Sequence, residues 1–131
     1  MNILRPCDVE LEVKNALSDY FNVDVPPLPA SYTLPNTLIR CAGGSTANTI
    51  DTFTVTIDSR AETNADALEN LQNVLGVLEV RGREQFGALR NVALNSLYSW
   101  GSDPVRPDLK MCTATVLVTA HREAYTIPEE S

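Results

Sequence analysis

The sequence predicts an α+β fold: elements in the order α-β-β-α-β-β, an antiparallel or mixed four-stranded sheet, and two helices packed on one of its faces. Three observations carry this. Two stretches repeat apolar residues at three- and four-residue steps, the period of a helix half-buried on a core. Other stretches alternate apolar and polar residues, the period of a strand with one buried face. Each helical stretch precedes a pair of strands, so two hairpins joined by a helix are expected to share one layer of sheet under one layer of helices. The chain of 131 residues, 44% hydrophobic, can enclose one core, and residues 1–131 are read as a single domain.

From Asp8 to Phe21, Val9, Val13, Ala16, Leu17 and Tyr20 share one helical face, with Asp8 placed to cap the free amides. Next, "NVDVPPLPASYTLPN" carries Pro26, Pro27, Pro29 and Pro35, which forbid helix and favour an extended strap over the surface. Thr37 to Ala42 reads as a short strand. "TIDTFTVTID" puts Phe53, Val55 and Ile57 on one face and Thr52, Thr54, Thr56 and Asp58 on the other. The second helix begins at Thr63 or Asn64 as cap and lines up Leu68, Leu71, Leu75 and Leu78; a polar loop "RGREQFG" is expected after it. A third strand runs through "ALRNVALNSLYSW", with Val92 and Leu94 alternating with Ala93 and Asn95, and closes at the turn-forming "GSDPVRP". In the last strand, "MCTATVLVTAHR", Cys112, Ala114, Val116, Val118 and Ala120 face one way, and Thr113, Thr115, Thr119 and His121 the other.

Composition narrows the function. Residues 1–79 hold eleven acidic side chains against four basic ones, the whole of the net charge of −7, while residues 80–131 hold six of each sign. A basic footprint for gripping a phosphate backbone is missing, which disfavours a DNA-binding protein. No segment approaches the ~18 apolar residues of a membrane span, so no membrane partner is expected, nor a secretory leader. Cys7, Cys41 and Cys112 have neither the number nor the spacing of a disulfide framework or a zinc site. They read as reduced thiols, with Cys41 and Cys112 buried in strands.

The stretch "RCAGGSTANT" has the composition of a phosphate cradle or an exposed nucleophile. A phosphate loop opens onto a helix, whose amides hold the anion; this one lies between two strands and lacks the lysine of GxxxxGKS/T. It reads as a hairpin loop, with Gly43 and Gly44 supplying positive φ angles. Cys112 and His121 are nine residues apart on one strand, on opposite faces and about 30 Å apart, so they are not a nucleophile and its base. Asp51 and Asp58, seven apart, also face opposite ways and make no acid/base dyad. Glu10, Asp66 and Glu69 read as solvated helix carboxylates. No catalytic residue, metal site or cofactor site is expected.

Two features point to association instead. Thr52, Thr54, Thr56, Thr113, Thr115 and Thr119 form a flat, weakly hydrated face where a wetted sheet commonly mixes in Lys, Glu and Arg. "VRGREQFG" places Arg81, Arg83, Glu84 and an exposed Phe86 in one mobile loop, residue types that anchor protein interfaces.

The N-terminal helix, the proline-bearing crossing, the threonine-rich hairpin, the central helix "ETNADALENLQNVLGVLE" and the closing strand "DLKMCTATVLVTAHR" together resemble the small tail-completion proteins of long-tailed bacteriophages, the tail terminators above all. The resemblance spans nearly the whole chain and rests on element order and size. It implies a non-enzymatic subunit that caps the finished tail tube as a homo-oligomeric ring, commonly a hexamer, and presents a surface to the head connector protein. It also implies a place in the virion tail after assembly in the host cytoplasm, with loops that order in the ring. DNA would pass through without specific binding, which an acidic wall suits because like charge keeps the backbone from sticking. Within that class a head-closure or connector adaptor and a minor tail protein are the alternatives. From other classes come a small α+β enzyme or ligand-binding domain and a bacterial adaptor that binds one partner.

Overall fold

The computed structural model describes residues 1–48 and 50–129. In chain order the elements are β1 (Asn2–Arg5), α1 (Val9–Leu17), β2 (Val23–Asp24), β3 (Asn36–Ala47), β4 (Ile50–Ala61), α2 (Asn64–Arg83), β5 (Leu89–Ser102), β6 (Lys110–Ala120) and β7 (Glu123–Thr126). The long elements follow the expected order, and the class is α+β. The sheet is larger than the four strands expected: β2-β3-β4-β6-β5, with a separate two-stranded β1-β7 pair. The additional strands are two to four residues long, too short for alternation to reveal them. β2 joins β3 in parallel at Thr37 and Leu38, and every other pairing is antiparallel, so the sheet is mixed.

β6 lies between β4 and β5 and runs antiparallel to both. Those two are therefore parallel to each other, and α2 is the crossover between them. Both helices lie on the face that carries Val55, Ile57, Cys112, Ala114, Val116 and Val118, and with the apolar stripes of α1 and α2 these side chains make one core. Ser59, a polar residue of β4 on this face, donates to the Ala67 carbonyl (2.8 Å) and accepts from the Asn70 amide (2.8 Å). Gly82 is required where α2 settles on β5: a Cβ there would stand 2.8 Å from the Val92 amide nitrogen.

The caps are as read from sequence, with Asp8 accepting from the Leu11 N–H (3.2 Å) and Thr63 from the Asp66 N–H (3.1 Å). The first helix ends at Leu17, short of Phe21. Tyr20 and Phe21 both donate to the Leu17 carbonyl, which tightens the chain into a turn. The third strand departs from simple alternation: its register shifts after Leu89, Leu94 and Ser96, and Leu94 is exposed although it shares a face with the buried Val92.

The cysteines are only half as expected. Cys112 is buried, but Cys41 is exposed and it is Cys7, just ahead of the α1 cap, that packs into the core. Cys41 lies opposite Val55, at the point where β3 passes out of the core and into solvent. Burial pushes the Cys7 thiol up to about 11, aided by the Glu12 carboxylate, and burial likewise raises Cys112.

Candidate functional site

The register brings the six threonines together. Thr52 stands opposite Thr119 and Thr56 opposite Thr115, while Thr54 meets Leu117 and Asp58 meets Thr113, all on the side of the sheet away from the helices. Five of them are half-buried and Thr56 is buried. Two are already engaged within the sheet. Thr113 donates to Asp58 (2.7 Å), and Thr115 accepts from the Asn95 amide (3.0 Å) and the Ser96 N–H (3.2 Å), holding β5 at its irregularity.

This face is charged toward one end. Arg40 grips Asp58 with two hydrogen bonds of 2.8 and 3.3 Å. Further along, Arg60 donates to Asp103 (2.6 Å), which also receives the Tyr32 hydroxyl (3.3 Å) and the N–H groups of Val105 (2.8 Å) and Arg106 (3.2 Å). Tyr32 comes from the proline strap and Asp103 from the β5–β6 connection, so the two loops lock together over that end of the face. Burial alone would raise the Asp103 carboxyl, but the two backbone N–H groups and Arg60 outweigh it and hold it below the usual carboxylate range. Burial, then the Asp103 charge, push Tyr32 up. On the opposite, helix-side face, Asp51 at the far end of β4 is held by Arg122 at 2.9 and 3.0 Å, and that hydrogen bonding lowers its carboxyl. Asp51 and Asp58 thus each answer a separate arginine.

The "RGREQFG" stretch is not a mobile loop. Arg81, Gly82 and Arg83 belong to α2, which ends on Glu84. Arg81 is largely enclosed: it donates to the Ala16 carbonyl (3.1 Å) and lies over the rings of Phe86 (4.4 Å) and Tyr20 (5.5 Å), with Asp19 and Glu84 nearby at 3.9 Å. Phe86 packs against the core instead of standing free. Of the four residues, Arg83 and Glu84 remain exposed. A guanidinium that can bond a helix C-terminal carbonyl and stack on two rings is drawn inward, and the sequence distance between Ala16 and Arg81 hides this.

Gly43 and Gly44 lie within β3, not in a loop. Gly43 sits at a bulge with φ of +134°, and Gly44 allows close approach of β4, since a Cβ would fall 2.9 Å from the Thr52 carbonyl oxygen. The hairpin turn is at Asn48, with φ of 53°, and Thr49 lies outside the described residues. Glu10 is not simply solvated: its carboxylate accepts the Cys41 N–H at 2.8 Å.

A second surface is not apparent in the strand pattern. Along β5, "ALNSLYSWGS" (93–102) has no charged residue, and Leu94, Leu97, Tyr98 and Trp100 are 40–52% exposed. The sequence signal was there, ten residues without charge holding four large apolar side chains at irregular spacing. On the helix side an open, mostly apolar hollow of about 500 Å³ lies between Tyr20 and α2, along Gly76, Val77 and Val80. Among the described residues, no group of three or more His, Cys, Asp or Glu side chains is placed to hold a metal ion, and no helix is long and apolar enough to cross a membrane. Compared with known proteins, the chain matches no family model and no curated relative.

Proposed function

We propose that this chain is a structural subunit of a phage tail, a tail-completion protein of the terminator kind that assembles with copies of itself into a ring on the tail tube and faces the head connector. The observation that carries the reading is the threonine face: six hydroxyl side chains and Leu117 on one side of the sheet, across from the helices and, among the described residues, without a helix packed on them. Such a face hydrates weakly and loses little when another protein covers it. The order of the long elements, on which the resemblance to tail terminators rests, agrees with the reading. So does the net charge of −7, which suits a channel wall past which DNA slides without sticking. A ring joined head to tail needs two different complementary patches, and the exposed Arg83 and Glu84 at the end of α2 offer polar contacts on a surface distinct from the threonine face.

The test is mass and image together. Light scattering over rising concentration should pass from monomer to a single larger species, and negative-stain images with purified tail tubes should show rings capping tube ends. A chain that stays monomeric at high concentration and leaves tubes uncapped would sink the proposal.

A further inference from the structure

The two edges of the main sheet are unequal to the strands that border them. On one side β5 has β6 as its neighbour and, among the described residues, no strand on its outer edge. On the other, β2 covers β3 only at Thr37 and Leu38, and from Arg40 to Ala47 β3 runs exposed. Long, uncharged, apolar edges are what sheets pair through, and proteins that stay single blunt them with charge or proline. Residues 93–102 carry neither.

We infer that the outer edge of β5, from Leu94 to Ser102, is a strand-pairing site whose occupant is the free half of β3, Ala42–Ala47, of a second copy of this chain. Direction favours that occupant. β3, β4, β6 and β5 alternate antiparallel across the sheet, so an identically oriented copy set beside β5 presents its β3 antiparallel to it, and the alternation continues from chain to chain. Size and charge favour it too. Leu97, Tyr98 and Trp100 are large, Ala42, Gly43 and Gly44 are small, and neither segment has a charge to bury. Glu10 already takes the Cys41 N–H, which sets the start of the free edge at Ala42. The two free lengths are offset along the strands, so joining them tilts the strands, as closing a curved sheet requires. The contact is heterologous and can close into a ring. It rests on the self-assembly proposed above and names the contact that would produce it.

The experiment uses the full chain and two exposed-site variants, Leu97→Lys on one edge and Ala42→Lys on the other, with circular dichroism as the check on folding. Each variant should raise the concentration at half-assembly by about tenfold or more, since each removes a central apolar contact or inserts a charge into it. Mixed together, the two should give dimers and nothing larger, because one intact junction remains between a good β5 and a good β3. Independently of any variant, hydrogen exchange in wild-type protein should slow at 93–102 and 42–47 on going from dilute to assembled samples. If wild type assembles while both variants assemble equally well and neither segment gains protection, the edge inference fails and the ring reading survives. If Leu97→Lys blocks assembly but Ala42→Lys does not, β5 pairs with itself and the assignment to β3 is overturned. If wild type never assembles, both fall.

Discussion

The two faces of the sheet are built from the same strands by the same alternation, yet they are different kinds of surface. On the helix side, Val55 and Ile57 of β4 and Val116 and Val118 of β6 interlock with the stripes of α1 and α2. On the other side, the intervening residues are threonines along most of the face and paired charges toward one end, covered, among the described residues, where the strap and the β5–β6 connection meet over Arg60. The difference teaches that a period of two identifies which side is core. It does not tell whether the polar side is bare, roofed by a loop or reserved for another protein.

Mutations can break this contrast. The largest effect belongs to the core side: Ile57→Ala, at a fully buried position, should cost about 3 kcal/mol in urea unfolding through lost transfer free energy and the cavity left behind. A loss below half that would mean the two faces are less unlike than described. Next comes the roofed end of the polar side. Asp103→Asn leaves Arg60, 7% exposed, without its counter-charge, and removing one partner of a buried pair costs about 3 kcal/mol. The same carboxylate gives a pH signature. Its folded pKa lies below the ordinary value, so its contribution is complete above about pH 4 and is lost as pH falls through the folded value, because the unfolded chain takes up the proton first. Wild type should therefore lose more stability than Asp103→Asn between pH 5 and about pH 2, and parallel curves would refute the role given to the pair. The smallest effect is expected in the middle of the open face. Thr54→Ala, facing Leu117 across β4 and β6, should change unfolding free energy by less than about 0.5 kcal/mol; a larger loss would show that this face is already packed within one chain.

Much of the fold was legible because its long elements are strongly periodic. Both caps, the core stripe of α2 and the shared threonine face follow from local spacing alone. What escaped depends on contacts between residues far apart in the chain. Arg81 reads as an exposed loop cation until the end of α1 brings the Ala16 carbonyl and the Tyr20 ring to it. Cys41 reads as a core thiol because its strand begins in the core; nothing in "LIRCAGG" marks where the helices cease to cover it. Asp103 sits in a turn-forming stretch and gives no sign that Arg60 and Tyr32 await it. The candidate site was found only in part for a related reason. Its threonines are regular, whereas the apolar residues of β5 are displaced by the register shifts that bring Leu97 and Tyr98 to the surface.

The place of β6 between β4 and β5 carries a consequence in time. Because those two strands flank β6, each antiparallel to it, and do not touch as a pair, the sheet exists as a β2-β3-β4 unit and an unattached β5 until Lys110–Ala120 has been made. Every chain on the ribosome therefore holds the uncharged stretch 93–102 unpaired while the strand that shelters its inner edge is still being synthesised. Insertion of that strand joins the β3–β4 hairpin, α2 and β5 in one late event, and the interval before it is when nascent copies are most open to pairing with one another by mistake.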